Sequence, residues 1–165
     1  MVRPTPSSAC AGRKPGKHSR LYDRGSGEIR RKISVGQFVI ERSKRFVAIK
    51  PFASRYEWEV HILPLEHASD FLDTPPEDLV DLAGILKRAM ARLNAVLGGV
   101  QYNFFIHSLP HAAEYADSAP AFHWHIEICP RTSIPTGFEL GSGLFVNTIC
   151  PEDAAEKLRK VSLAE

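Results

Sequence analysis

Residues 119–131 read APAFHWHIEICPR and carry His123, His125 and Glu127 at alternate positions. Side chains of a β-strand alternate between two faces, so this period of two predicts a half-buried strand. The predicted apolar face holds Phe122, Trp124, Ile126 and Ile128, and the opposite face holds His123, His125, Glu127 and Cys129. The strand therefore places three ionisable side chains in a row on one side of a sheet.

A long amphipathic helix is predicted in TPPEDLVDLAGILKRAMARLNAVLGG. Thr74 is the expected N-cap, Pro75 the first helical residue and Glu77 the partner in a capping box, and Gly98 is expected to end the helix. Its apolar stripe comprises Leu79, Leu82, Leu86, Met90, Leu93 and Leu97. Helical spacing of these residues indicates that the stripe packs against a core.

Four further strands and a second helix complete the expected fold. QFVIERSKRFVAIKPF predicts two short strands around a polar turn, YEWEVHILPLEH a third and QYNFFIH a fourth, and PEDAAEKLRKV predicts a closing helix that begins at Pro151. Strands grouped around one long helix favour the α+β class. We expect a mainly antiparallel sheet of about five strands with one long helix and a C-terminal helix.

Composition excludes several classes of protein. With 165 residues, of which 44% are hydrophobic, the chain can form one globular domain. No apolar run approaches the roughly 18 residues that span a bilayer, and the N-terminus has no apolar secretory core, so no membrane partner and a cytoplasmic location are expected. Cys10, Cys129 and Cys150 are too widely spaced for a CxxC motif or a disulfide framework.

The N-terminal segment differs from the rest of the chain in charge. Its first 40 residues contain nine Lys and Arg against Asp23 and Glu28. Residues 1–35 are predicted to be a disordered basic tail, and 36–165 the folded domain. Nucleic acid is not the expected partner of this tail, because no aromatic residues are interleaved with its charges.

The alternating histidines suit two kinds of chemistry. Imidazoles at positions i and i+2 of a strand lie roughly 6–7 Å apart, which allows them to capture a metal ion or a phosphate together. Imidazole is also a nucleophile toward phosphorus, and Glu127 could hold the second ring nitrogen of His125 or accept a proton. The alternative is a partly buried polar face without chemistry. Three aligned groups in a strand that ends in Pro130 and Arg131 favour a functional site.

The segment FHWHIEICPR resembles the signature of the histidine-triad superfamily, with Glu127 at the position of the third histidine. VHILPLEH and YNFFIH also resemble segments of that family and occur in the same order. More specifically, PFASRYEWEVHILPLEHASDF and GFELGSGLFVNTICPEDAAEKLR resemble the C-terminal half of galactose-1-phosphate uridylyltransferases and their nucleotidyl-phosphorylase relatives. This resemblance runs from about residue 36 to residue 161.

The resemblance implies a metal site and a sugar contact. In one branch of the family, the positions of His107, His123 and His125 bind a metal together with an acidic residue from the other half. In another branch, zinc is held by a CxxC pair and by histidines that match His67 and His123, and this sequence lacks the CxxC. One zinc or iron per chain is therefore expected. The family's segment matching Phe138 and Glu139 contacts the sugar across a dimer interface.

The resemblance also implies an activity. It indicates the C-terminal domain of a hexose-1-phosphate uridylyltransferase type of nucleotidyltransferase, which acts on a nucleotide sugar or sugar 1-phosphate. Either a homodimer or a separately encoded N-terminal half is expected to complete it.

Two alternatives remain open at this point. One is a single-domain nucleotide hydrolase in which His125 is the nucleophile and Glu127 assists it. Those hydrolases place a small polar residue where Pro120 to Phe122 stand here, and asparagine where His107 stands, and both differences weaken that reading. The other is a catalytically silent binding or dimerisation domain.

Overall fold

The computed structural model describes residues 36–163, so the predicted basic tail at 1–35 lies outside the described residues. The five strands are β1 (Val39–Arg42), β2 (Phe46–Ile49), β3 (Val60–Pro64), β4 (Tyr102–His107) and β5 (His125–Pro130), and the helices are α1 (Pro76–Leu97), α2 (Gly137–Ser142) and α3 (Pro151–Arg159). All strand pairs are antiparallel, in the order β1-β2-β3-β5-β4. The predicted α+β fold with a five-stranded antiparallel sheet is confirmed.

The last strand in the chain lies inside the sheet. β5 pairs with β3, where His61 is opposite Glu127, and with β4, where His107 is opposite His125. Because side chains at paired positions point to the same face, β5 brings polar side chains of three strands together on one surface.

The opposite face of the sheet forms the main core. Trp124, Ile126 and Ile128 are almost completely buried there, as their alternation predicts. The Trp124 ring packs against the rings of Phe46 and Phe71, with centroid distances of 5.9 and 5.2 Å. α1 and α3 cover this face and contact each other as well as the sheet.

α1 begins one residue later than the sequence indicates. Pro75 occupies the N-cap, whereas Thr74 ends a preceding 3-10 turn, Phe71–Asp73, by donating its backbone N–H to the Phe71 carbonyl. The Thr74 hydroxyl is buried without a hydrogen-bond partner, so the expected capping box is wrong. Gly98 ends the helix with a φ of 71°, as predicted.

The buried stripe of α1 is also rotated slightly from the predicted one. Its buried residues are Leu82, Ile85, Ala89 and Leu93, whereas Leu79 is exposed. α3 begins at Pro151 as expected. Across residues 36–163, no helix is long and apolar enough to cross a membrane.

Candidate functional site

Three imidazole rings form a stacked row on the polar face of the sheet. His125 is the middle ring; the centroid of His61 lies 5.2 Å away on one side, and that of His107 lies 4.9 Å away on the other. The rings are nearly parallel, with interplanar angles of 20° and 16°. Since the three histidines come from β3, β5 and β4, the row depends on the strand order of the whole sheet.

The carboxylate of Glu127 lies at the Nε2 side of all three rings. Its Oε1 is 3.6 Å from the Nε2 atoms of both His61 and His125, and its Oε2 is 3.3 Å from Nε2 of His107. Burial opposes ionisation of this carboxyl group, but the hydrogen bonds from His107 and His125 outweigh burial and hold the pKa of Glu127 well below its ordinary value. Glu127 is therefore an ionised acceptor at the centre of the cluster.

The outer two histidines of the row differ in their surroundings. Burial lowers the pKa of His61, which is only 4% exposed. The hydrogen bond to Glu127 raises the pKa of His107, whose side chain is 45% exposed. Burial thus favours the neutral ring of His61, whereas His107 holds a proton against Glu127 more readily.

A second carboxylate, that of Glu59, holds the His61 ring. Glu59 is 5% exposed, and its Oε1 accepts a 2.7 Å hydrogen bond from His61 Nε2. Its Oε2 accepts hydrogen bonds from the backbone N–H groups of Arg55 and Tyr56, at 2.8 and 3.0 Å. Burial alone would raise the pKa of Glu59, but the hydrogen bond from His61 reverses the shift and lowers it. The His61 ring is therefore held by an ionised carboxylate that is itself fixed to the backbone.

The tautomer of His125 follows from its backbone contact. Nδ1 of His125 lies 3.1 Å from the carbonyl oxygen of His123. A carbonyl only accepts, so Nδ1 must carry the proton for this contact to be a hydrogen bond. Nε2 faces Glu127, to which it donates when the ring is doubly protonated, and it carries a lone pair when the ring is neutral. This is the form that either coordinates a metal or attacks phosphorus.

His123 lies outside the row, although strand alternation predicts the same face for His123 and His125. It precedes β5, and its Nε2 donates a 2.9 Å hydrogen bond to the carbonyl of Pro64. Its ring packs beside that of His67, with a centroid distance of 5.4 Å, and burial lowers its pKa. His123 Nδ1 is buried and has no hydrogen-bond partner. The four predicted metal ligands therefore divide into one pair, His67 with His123, and another, His107 with His125.

The cluster around Glu127 has the donor chemistry of a metal site. His61, His125 and Glu127 each offer one ligand atom, and these atoms lie within 4.8 Å of one another. Two imidazoles and a carboxylate are ligands that zinc and iron accept. His107 is a further donor beside Glu127. A metal ion at this cluster fits the residues present, and the assignment of ligands stays a prediction.

The predicted sugar-contact residues lie on a short helix. Phe138 and Glu139 belong to α2, and Glu139 Oε2 accepts hydrogen bonds from the Thr136 backbone N–H and hydroxyl, at 2.9 and 3.0 Å. Phe138 is 55% exposed and Leu140 77% exposed. Within the described part of the chain, no hydrogen bond or ion pair joins Glu139 to the histidines.

Sequence reasoning missed His61 and Glu59, although a signal for both exists. In YEWEVHILP the apolar residues Trp58, Val60 and Ile62 occupy alternate positions, so Glu59 and His61 must lie on the opposite face. The position of these two residues beside Glu127 depends on the pairing of β3 with β5. That pairing joins segments far apart in the chain and cannot be derived from local patterns.

Two known proteins are similar in sequence to about three quarters of this chain. ADP-glucose phosphorylase from Arabidopsis thaliana is 38% identical over 126 residues, which are 76% of this chain and 36% of that protein. Galactose-1-phosphate uridylyltransferase from Thermotoga maritima is 28% identical over 131 residues, which are 75% of this chain and 41% of that protein. The chain thus spans less than half the length of these relatives.

A solved structure shows the same relationship. The crystal structure of ADP-glucose phosphorylase from Arabidopsis thaliana with bound ADP-glucose superimposes with a TM-score of 0.75 at 36% identity. The match covers 80% of this chain and 42% of that one. The predicted similarity to the galactose-1-phosphate uridylyltransferase group is confirmed. Since the family model for the HIT domain also matches residues 34–126, the chain belongs to the HIT domain family.

Proposed function

We propose that this chain is a nucleotidyltransferase domain of the hexose-1-phosphate uridylyltransferase type and acts on a nucleotide sugar or sugar 1-phosphate. It would supply the metal-binding and sugar-contacting part, as the C-terminal half does in that family. The observation that carries the proposal is the row of His61, His125 and His107 around Glu127 on the polar face of the sheet. Its similarity to ADP-glucose phosphorylase, at 38% identity, supports the substrate class.

One zinc or iron ion would be held by His61, His125 and Glu127, with His107 as an additional donor. The ionised state of Glu127 favours metal binding, because ligands must be deprotonated. His61 would bind through Nε2 after giving up the proton that it donates to Glu59. The ion would neutralise Glu127 and tie β3, β5 and β4 together. In this proposal His123 is not a ligand of the cluster, since its Nε2 donates to Pro64.

Sugar recognition would fall to Phe138 and Glu139. The α2 segment is almost entirely exposed and carries apolar side chains that the domain itself leaves uncovered, including Leu140. A carboxylate beside an exposed aromatic ring suits a sugar, because the carboxylate accepts hydroxyl hydrogen bonds while the ring covers an apolar sugar face. In this proposal the contact is made across an interface, as the family resemblance implies.

A partner domain would complete the site. All six residues of β4 are exposed, including Tyr102, Phe104, Phe105 and Ile106. An apolar edge strand without lysine or proline is a template for pairing with another chain. The occupant would be a second copy of this chain or a separately encoded N-terminal half.

A hydrolase that works as a single domain is the alternative function. The protonated Nδ1 of His125 favours it, since this tautomer leaves Nε2 as a nucleophile and Glu127 beside it. Against it, the segment before β5 offers Pro120, Ala121 and Phe122 where such an enzyme needs polar donors to the phosphate. A catalytically silent binding or dimerisation domain would keep the cluster for metal alone.

Trapping a covalent intermediate separates these functions. The chain is incubated with ADP-glucose, UDP-glucose or a nucleoside phosphoramidate, and intact mass is measured under conditions that preserve acid-labile adducts. We expect nucleotide-sugar binding in calorimetry without a stoichiometric adduct on the isolated chain. An adduct that His125→Ala abolishes and His123→Ala only weakens would establish the hydrolase type of chemistry instead. Absence of both binding and adduct would leave the silent domain.

A further inference from the structure

The loop between β2 and β3 carries Arg55, whose surroundings differ from those of several other arginines of the domain. Arg45 pairs with Asp78 and Glu66, and Arg88 and Arg92 pair with Glu41. Among residues 36–163, the guanidinium of Arg55 has neither a hydrogen bond nor an ion pair. Its Cζ instead lies 5.3 Å from the centroid of the Phe145 ring. Arg55 is exposed, so all five of its N–H donors are available.

Arg55 is tied to the histidine row through Glu59. The backbone N–H of Arg55 donates to Glu59 Oε2, while Glu59 Oε1 accepts from His61, which borders Glu127. Because Glu59 is buried and fully engaged, it fixes the start of the arginine side chain relative to the cluster. The backbone of this loop is therefore fixed to the same carboxylate that holds the His61 ring.

A second segment holds the ring beneath the guanidinium. Asn147 donates a 2.7 Å hydrogen bond to the Ser54 carbonyl, and Thr148 hydrogen-bonds Glu57. The ring of Phe145 also meets Tyr56 edge-on, with 5.8 Å between centroids. These contacts hold the Phe145 ring in place. A guanidinium above an aromatic face is stabilised by the cation–π interaction, while the N–H groups at its edge stay available.

A cation beside the cluster would favour an approaching phosphate. The carboxylates of Glu59 and Glu127 lie 2.7 and 3.6 Å from His61 Nε2, so a phosphate at the row would be close to two acidic groups that disfavour it. Lys50 is near, but it is 1% exposed and donates to Ser54 and to the Tyr56 carbonyl. Arg55 is therefore the exposed cation of this loop.

We infer that Arg55, seated on Phe145, binds a phosphate group of the substrate at the His61–His125–His107 row. The planar guanidinium would take two phosphate oxygens side by side. This inference rests on the proposed function for the identity of the natural ligand, a nucleotide sugar diphosphate or sugar phosphate. Anion binding by Arg55 can be measured without it.

The test uses inorganic pyrophosphate and ADP-glucose as separate probes at one fixed ionic strength. Affinities are measured by calorimetry for the wild type, Arg55→Gln, Arg55→Lys and Phe145→Leu. Lys87→Gln is the matched control, since it removes one exposed positive charge from α1, which covers the opposite face of the sheet. The arginine Nε–Hε resonances are followed by NMR during the pyrophosphate titration, because a purely structural role would not move them.

We expect Arg55→Gln to weaken both ligands tenfold to a hundredfold, Arg55→Lys and Phe145→Leu to weaken them less, and Lys87→Gln to have no effect. The Arg55 resonance should shift on titration, and thermal melting should not change. Wild-type affinity retained in Arg55→Gln, or no pyrophosphate binding by the wild type, would overturn the inference. Pyrophosphate binding through Arg55 without ADP-glucose binding would support the inference and contradict the proposed function. ADP-glucose binding that is unchanged in Arg55→Gln would support the proposed function and contradict the inference.

Discussion

His107 and His125 are directly opposed residues of neighbouring strands, and their rings stack with 4.9 Å between centroids. The same His125 ring stacks on His61 from the other neighbouring strand. A ring in the middle of such a row cannot change its orientation without disturbing both neighbours. Glu127, two residues along the same strand, meets all three Nε2 atoms.

The first prediction concerns the ligands of the metal. His61→Ala should lower zinc binding to well below one ion per chain, because it removes one of the three donors that lie within 4.8 Å of one another. The measurement is elemental analysis after equilibration with zinc and gel filtration, together with the rise in melting temperature that zinc causes. His125→Ala should have the same effect.

The matched control for this prediction is His67→Ala. His67 packs beside His123, away from the stacked row, and its Nε2 donates to the Phe122 carbonyl. We therefore expect this variant to keep its zinc. If His67→Ala loses zinc while His61→Ala retains it, the metal belongs to the His67–His123 pair and the cluster around Glu127 is not the metal site.

The second prediction concerns the buried Lys50. Burial lowers the pKa of Lys50 to about 8, whereas a lysine in an unfolded chain has a pKa of about 10.4. Between these values the unfolded chain binds one more proton than the folded one, so Lys50 makes the free energy of unfolding rise with pH. The slope from this one group is at most about 1.4 kcal/mol per pH unit, and it vanishes below pH 8.

Urea denaturation at several pH values from 7 to 10.5 measures this contribution. Lys50→Met should remove the extra slope above pH 8, so that the difference between variant and wild type changes with pH only in that window. Lys44→Met is the control, since Lys44 is exposed and its charge stays in water in both states. An identical slope in the wild type and Lys50→Met would show that Lys50 remains charged in the fold.

The fold and one strand of the site could be predicted from local patterns. The alternation in HWHIEI requires a strand with Trp124 and Ile126 on the core face, because a period of two permits no other regular structure. The leucine spacing and Gly98 likewise give α1 and its end. These features depend on residues that are neighbours in the chain.

The composition of the site could not be predicted in the same way. His61 joins the cluster only because β3 pairs with β5, while His123 leaves it because the chain before β5 turns its ring toward Pro64. Both outcomes depend on pairing between distant segments. Thr74 fails as a cap for a related reason, since its backbone is already used by the turn at Phe71.

The third prediction separates the two roles of Glu139. Its Oε2 accepts from Thr136, so Glu139→Ala removes both a helix cap and a charge. Glu139→Gln keeps a capping-box acceptor and removes only the charge. If Glu139 contacts a sugar, Glu139→Gln should weaken ADP-glucose binding roughly tenfold to a hundredfold, as expected for one or two charge-assisted hydrogen bonds, while leaving the melting temperature nearly unchanged.

Calorimetric titration with ADP-glucose and with ADP alone checks this prediction. The loss should appear for the sugar nucleotide and not for the bare nucleotide. Equal losses for both ligands would mean that Glu139 does not contact the sugar, and an unchanged affinity in Glu139→Gln with a loss in Glu139→Ala would assign it to capping alone.

The fourth prediction concerns the exposed edge of β4. Phe104 and Ile106 lie opposite Ile128 and Ile126 of β5, on the face that α1 covers elsewhere, yet they are 56% and 43% exposed. If a second copy covers this edge, Phe104→Lys should convert a dimer into a monomer without lowering the melting temperature of the domain, because a lysine is well tolerated on a solvated edge. Val80→Lys, which changes an exposed apolar residue of α1 in the same way, should stay dimeric.

Sedimentation over a hundredfold range of concentration measures the oligomeric state of both variants. A dimer that survives Phe104→Lys would place the interface elsewhere, and a wild type that stays monomeric throughout would exclude self-pairing and leave the separately encoded half as the expected occupant.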